Sequence, residues 1–316
     1  MNPLRPAILA AADSPRLKKA VTRTPITAAV VRRFVAGETR AELAPVVRAL
    51  LDSGRMVSVD FLGEYTTDPA MANAAVTEYF SLIDDLAELD RAPDTEVPPV
   101  EVSVKLSALG QSLGADGPAI AAENLHKLCA KAVESRVWVT VDAEDHTTTF
   151  DTLAAVEQAR AEFPWLAVAM QTYLRTAEDN CRDAAASGTR VRLCKGAYQE
   201  PETVAYRKRG EVDASYLRCL DVLMRDAWHP MIATHDPAMV EAALRLSAEH
   251  RRSPGDFEFQ MLYGIRDTEQ RRLVDEGHAL RVYIPYGTQW YGYLMRRLAE
   301  RPANLGFFLR ALTERR

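Results

Sequence analysis

The sequence predicts an α/β fold, a (β/α)8 barrel of the TIM type with helices ahead of it, and three observations carry that prediction. From residue 57 onward, short runs rich in Val and Ile alternate eight times with longer stretches of helical period. The 316 residues suit that barrel plus an extension. The residues that close the strand-like runs are polar at nearly every run, and this architecture keeps its functional groups at those positions.

Taken in order, residues 1–55 read as an N-terminal helical segment. Within it, 42–52 aligns Leu43, Val46, Val47, Leu50 and Leu51 on one stripe suited to packing beside a barrel. The catalytic barrel occupies 56–316. Its strands are predicted at 57–62, 100–106, 138–141, 167–172, 190–194, 231–234, 257–261 and 280–284. Helices are predicted at 68–90, 118–135, 147–162, 175–187, 202–227, 237–250, 267–276 and 287–312. Thr67-Asp68-Pro69 and Asp236-Pro237 set a capping residue before Pro at the first helical position, and Gly188 and Gly277 sit where a helix hands over to a strand. Residues 89–99 form a polar, Pro-rich loop, and the Gly-rich stretch 109–117 reads as a candidate flap.

Composition narrows the function. With 47% hydrophobic and 26% charged residues the chain is globular, and 39 basic against 44 acidic residues give a net charge of −5, so no basic face tracks a nucleic-acid backbone. Cys129, Cys181, Cys194 and Cys219 lie far apart without a CxxC pair or a matching His cluster, which signals neither disulfides nor a metal site and suits a cytoplasmic protein. No apolar run approaches the roughly 20 residues of a membrane span, so the expectation is a soluble or at most peripheral chain. Gly-x-Gly-x-x-Gly, P-loop and Gly-x-Ser-x-Gly motifs do not occur.

The strand-end residues are Glu64, Lys105, Asp142 with Glu144 and His146, Gln171, Arg192 with Lys195, Thr234 with His235, Gln260 and Tyr283. Lys105 lies in an apolar strand, where a buried ammonium needs a carboxylate or an anionic ligand; the plainer reading is an ion pair with Asp142 or Glu144. Asp142 and Glu144 share strand parity, as acid/base pairs or metal ligands do, although no His set converges with them. Arg192 and Lys195 put two cations near one strand end, and Lys195-Gly196-Ala197-Tyr198 opens a turn that admits close backbone approach to a phosphate or an electron-rich ring. Tyr293, Arg296, Arg297 and Glu300 share one face of the last helix, suited to gripping a carboxylate or equally to forming a solvated basic patch. Tyr283, Tyr286, Trp290, Tyr291 and Tyr293 are core residues or the wall of a pocket. Residue chemistry alone thus reaches a barrel enzyme for a small anionic substrate.

At these residues the sequence resembles the proline dehydrogenase family in its monofunctional bacterial form. The segments are Glu101-Val-Ser-Val-Lys-Leu-Ser107, Val141-Asp-Ala-Glu-Asp145, Val191-Arg-Leu-Cys-Lys-Gly-Ala-Tyr198, Ala233-Thr-His235, Phe257-Glu-Phe-Gln-Met-Leu-Tyr-Gly264, Arg281-Val-Tyr-Ile-Pro-Tyr-Gly287 and Tyr293-Leu-Met-Arg-Arg-Leu-Ala-Glu300. The resemblance implies a distorted barrel that binds FAD, with the last helix lying over the carboxyl ends of the strands. It implies that Lys105, Arg296 and Arg297 pair with the carboxylate of L-proline. Leu262, Tyr283 and Tyr293 would pack the pyrrolidine ring against the flavin. A hydride passes from the ring carbon next to nitrogen, in the neutral amine, to flavin N5 and leaves 1-pyrroline-5-carboxylate.

By the same resemblance Arg192 lies near flavin N5 and Asp142 orients the strand-end cations and Tyr283, which makes these two the catalytic pair. Gln171 bonds the isoalloxazine, and Lys195, Gly196, Ala197, Tyr198, Thr234 and His235 hold the ribityl, diphosphate and adenine parts. Ala143 and Glu300 complete the cofactor set. Two departures from the family are Gln199-Glu200-Pro201, where some members carry Trp after the Tyr, and Asp236, where others have Asn. The family passes electrons to membrane quinone, which implies transient peripheral contact at the inner face of the cell membrane. An end at residue 316 leaves no room for a fused aldehyde dehydrogenase, so a separate pyrroline-5-carboxylate (glutamate semialdehyde) dehydrogenase is expected to take the product. The competing readings are another flavin barrel, such as a methylenetetrahydrofolate reductase-like enzyme, which gives no reason for the Arg pair, and a non-catalytic barrel that binds an amino acid.

Overall fold

Eight parallel strands close on one another in sequence order, each hydrogen-bonded to the next and the eighth to the first. The computed structural model describes residues 31–63, 66–89 and 96–293. Helix α1 (Arg40–Leu51) precedes β1 (Met56–Phe61), then α2 (Pro69–Leu89), β2 (Val100–Val104), α3 (Gly117–Glu134), β3 (Trp138–Val141), α4 (Thr149–Arg160) and β4 (Ala167–Gln171). The second half continues with α5 (Ala177–Ala186), β5 (Arg190–Cys194), α6 (Arg209–Asp226), β6 (Met231–Ala233), α7 (Pro237–Glu249), β7 (Glu258–Leu262), α8 (Asp267–Asp275) and β8 (Ala279–Tyr286). All eight predicted strands are present.

The apolar core lies between the sheet and the helices. Val57, Val59, Val102, Val104, Val139, Val141, Val191, Leu193, Phe259, Val282 and Ile284 alternate along the strands and are fully buried, packed with helix residues such as Tyr79, Leu125 and Leu220. The intervening residues, among them Ser58, Asp60, Glu101, Ser103, Arg190, Arg192, Glu258, Gln260 and Arg281, are just as buried but polar, and hydrogen bonds join them across the lumen. In this barrel the branched apolar residues face outward and the lumen is ionic.

Helix α1 starts from Thr39, whose side chain accepts from the Glu42 amide, and it buries Leu43, Val47 and Leu50 against β1, β8 and α2. It fills the outer-ring place between the last strand and the first. The chain after β8 is thereby spared that place: the helical turn at 290–293 is tied to the N-terminal segment by Trp290 Nε1 donating to Glu38 at 2.8 Å, and Tyr293 reaches the mouth of the barrel.

Three predicted elements differ from those observed. β2 ends at Val104, which leaves Lys105 just past the strand. α6 begins at Arg209 rather than 202, because 201–206 docks on the loop after β4: the Tyr206 amide donates to Tyr173 O at 2.7 Å and the Arg175 amide to Val204 O at 2.9 Å. The Gly-rich stretch expected as a flap is anchored at its start. Leu109, Gly110 and Gln111 are buried, and Asn124 of α3 donates to Leu109 O at 2.9 Å.

Candidate active site

The lumen is built in ionic layers. At the floor Arg281 donates to Glu258 at 2.8 Å and to the carbonyls of Val57 and Pro98, while Arg190 lies 4.5 Å from the Trp138 ring centre and 3.5 Å from Glu101. Above it Arg192 uses every N–H it has. Nε donates to Gln260 at 2.6 Å, Nη1 to Ser103 at 2.6 Å and Asp142 at 2.5 Å, and Nη2 to Ser58 at 2.9 Å and Glu101 at 2.7 Å. Burial alone would lower its pKa, but Asp142 and Glu101 outweigh it, so the guanidinium stays charged.

The top layer opens into the mouth. Lys105 donates to Asp60 at 2.8 Å and lies 3.4 Å from Asp142 and 3.3 Å from the Tyr283 hydroxyl. Tyr283 in turn donates to Asp142 at 2.7 Å. Burial favours the neutral Asp142 carboxyl, yet Arg192 first, then Lys105 and the Tyr283 and Ser103 hydrogen bonds, hold it below the ordinary carboxylate range. The Tyr283 phenol is pushed well up by burial and by Asp142 and Asp60, and remains a donor.

A cavity of about 420 Å³ sits on this layer, a size usual for small-molecule sites. It brings together Lys105, Asp142, Ala143, Gln171, Arg192, Lys195, Gly196, Ala197, Tyr198, Thr234, His235, Leu262, Tyr283 and Tyr293. Arg296, Arg297, Glu300 and Glu64 lie outside the described residues. Arg192 and Lys195 are not neighbours in function: Arg192 is sunk in the lumen, whereas Lys195, about a quarter exposed, bonds Asp213 and Asp236. Asp142 and Glu144 do not pair either. Glu144 turns to Ser107, accepting from its amide at 3.0 Å and its hydroxyl at 2.6 Å, and His146 is held by Glu200.

His235 Nε2 accepts the Leu262 amide at 2.8 Å, which puts the ring proton on Nδ1. Sequence reasoning missed Asp60, the nearest partner of Lys105, and Glu101, the deep anchor of Arg192. The alternation Ser58-Val59-Asp60 and Glu101-Val102-Ser103-Val104-Lys105 was the signal available for both, since a strand buried on two faces would otherwise read as continuously apolar.

Comparison with known proteins places this geometry. The proline dehydrogenase family profile matches residues 44–310. Proline dehydrogenase 1 of Bacillus subtilis subsp. natto is 36% identical over 286 residues, 90% of this chain and 91% of its own. Proline dehydrogenase of Deinococcus radiodurans is 34% identical over 316 residues, covering 98% of this chain and 97% of its own. Among solved structures, proline utilization A from Bdellovibrio bacteriovorus, inactivated by N-propargylglycine, superposes with a TM-score of 0.81 at 26% identity; the match covers 89% of this chain and 33% of that longer one. The chain belongs to the proline dehydrogenase family.

Proposed function

We propose that the chain oxidises L-proline to 1-pyrroline-5-carboxylate with FAD as hydride acceptor, and that quinone takes the electrons onward. The observation that carries this reading is one mouth where Lys105, Asp142, Arg192 and Tyr283 converge in a chain of this family. Two features of the cavity fit a flavin dinucleotide. Gln171 Oε1 is buried at the cavity wall with no partner among the described residues, so it is available to an isoalloxazine edge. Gly196, at φ +102°, lines the cavity with bare backbone open to close approach, because Tyr173 on its other side, within 2.3 Å of where a Cβ would sit, excludes a side chain.

FAD, when bound, supplies the acceptor for the hydride leaving the ring carbon beside nitrogen. The protein positions the donor. Lys105, with Arg296 and Arg297, would receive the substrate carboxylate, and Leu262, Tyr283 and Tyr293 would wall the pyrrolidine ring. Asp142 stays ionised and fixes both Tyr283 and Arg192. With its N–H groups committed to the protein, Arg192 would offer a bound flavin a fixed positive charge rather than a further hydrogen-bond donor. Ala143, Gln171, Lys195, Gly196, Ala197, Tyr198, Thr234, His235 and Glu300 hold the cofactor.

Among the described residues no helix is long and apolar enough to cross a membrane. In this reading the enzyme works in the cytoplasm with transient contact at the inner face of the membrane, and a separate pyrroline-5-carboxylate (glutamate semialdehyde) dehydrogenase consumes its product. The test is the visible spectrum of the purified chain before and after anaerobic L-proline. Bleaching of the flavin band by proline, with NADH inert, is expected; a flavin band unmoved by proline, or bleached by NADH instead, removes the reading.

A further inference from the structure

Lys195 lines the cavity, yet its ammonium is already spoken for. Nζ donates to Asp213 of α6 and, at 2.8 Å, to Asp236 Oδ2 at the start of α7. Asp236 divides its two oxygens: Oδ1 accepts the Ala238 amide at 3.1 Å and caps α7, while Oδ2 meets Lys195. Arg209 stands outside, 83% exposed, 3.5 Å from Asp213 and 3.5 Å from Asp236. Two cations and two carboxylates thus balance at one edge of the mouth.

We propose that Asp213 and Asp236 hold the place of the cofactor's diphosphate and set flavin affinity by competing for Lys195, with Arg209 receiving the carboxylates when the diphosphate takes Lys195. The inference rests on the FAD reading. An anion arriving at Lys195 must displace two carboxylates and then lie beside Asp236, whose charge repels it and occupies the favourable N-terminal end of α7. Arg209 makes the exchange feasible, because it already touches both carboxylates and can close on them without moving the backbone. The groups are 20–26% exposed, so solvent screens the competition and its size is modest.

The experiment is release of FAD from the purified full-length holoenzyme on serial dilution, followed by recovery of free-flavin fluorescence. Asp236→Asn keeps the cap, since Asn caps as well as Asp, and removes the charge. It should tighten FAD about two- to fivefold at low salt and less at high salt. Asp213→Asn should move affinity the same way. Arg209→Gln should weaken FAD in the wild type and do so less in the D236N background, where one competitor is already gone. ADP, used as a competitor carrying the diphosphate without the flavin ring, should follow the same order. An unchanged or weaker affinity in D236N overturns the proposal, and so does an Arg209→Gln effect equal in both backgrounds, or an ADP affinity indifferent to position 236. A wild-type chain that holds no FAD removes the flavin reading itself, which these variant comparisons cannot mimic.

Discussion

The Tyr283 hydroxyl donates to Asp142 Oδ2 at 2.7 Å and ties the last strand of the barrel to the end of the third across the lumen. The bond fixes a ring that Arg192 also faces, its guanidinium carbon 5.3 Å from the ring centre. A hydrogen bond to a charged group is worth about 1.5–3 kcal/mol, or roughly 10- to 100-fold in rate if it is fully expressed in the transition state. Tyr283→Phe should therefore lower kcat/KM for L-proline by about tenfold or more while flavin content per chain stays near one. Stopped-flow flavin reduction by proline measures the first quantity and the visible spectrum the second. Equal loss of both would mean that Tyr283 merely holds the mouth together.

Lys105 bears on the pH dependence of the same site. Its ammonium is one of the charges that keep the Asp142 carboxyl below the ordinary range, after Arg192. Lys105→Met removes that charge and leaves Asp60 and Asp142 facing the same space, so the Asp142 pKa should rise toward or past its usual value of about 3.9. Two results are expected together: a higher KM for proline, and an acid limb of the kcat/KM profile moved to higher pH. The rate profile between about pH 4 and 7 checks the sign, and a limb that stays put would show that Lys105 does not govern Asp142.

Much of this was legible in the residues. The Val-rich runs and the Pro and Gly punctuation placed every strand to within two residues, because strands and caps depend on local chemistry. The segment 201–208 was not legible, since its dipeptides suit a helix start and only tertiary contacts of Ala205 and Tyr206 with the Leu174 loop prevent one. At the site, Lys105, Asp142, Arg192 and Tyr283 stood out as polar groups ending apolar runs. Asp142 was legible as the shared partner of the other three, but Asp60 and Glu101 were not: Asp60 is distant from Lys105 in sequence, and Glu101 reaches Arg192 only because the barrel closes. Of the two partners expected for Lys105, Asp142 lies 3.4 Å away, whereas Glu144 is drawn off to Ser107, a side-chain choice that the spacing of the residues does not encode.

Gly196 offers a test of the turn that faces the cavity. At φ +102° a side chain is strained, and a Cβ would lie 2.3–2.7 Å from three Tyr173 ring atoms. Tyr173 cannot retreat easily, since its hydroxyl donates to the buried Glu200 at 3.2 Å. Gly196→Ala should cost about 1–3 kcal/mol, felt as lost flavin rather than lost fold, because Tyr173 belongs to a small apolar cluster with Leu174 and Ala205 and not to the main core between sheet and helices. The expected outcome is a chain that purifies with little flavin and a Tm within a few degrees of the wild-type apoprotein. Adding Tyr173→Leu removes the ring and should restore part of the flavin content. No restoration would place the strain in the backbone alone.

The floor of the lumen sets the acid limit of stability. Burial would raise the Glu258 carboxyl, but the charge of Arg281, helped by the His229 contact, holds it well below the ordinary range. A carboxylate whose folded pKa is depressed binds fewer protons when folded than when unfolded. Its contribution is complete above the unfolded value of about 4.3 and drains away as pH falls toward the folded one. Asp142 acts in the same direction. Denaturant or thermal midpoints should accordingly hold from neutral pH down to about pH 5 and fall below about pH 4. Glu258→Gln leaves Arg281 without its counter-charge and should cost about 3–5 kcal/mol at pH 7. The gap between variant and wild type should then narrow as pH drops, because protonation removes from the wild type the charge that the substitution has already removed. A gap that is constant from pH 7 to 3 would instead assign the loss to packing at the barrel floor.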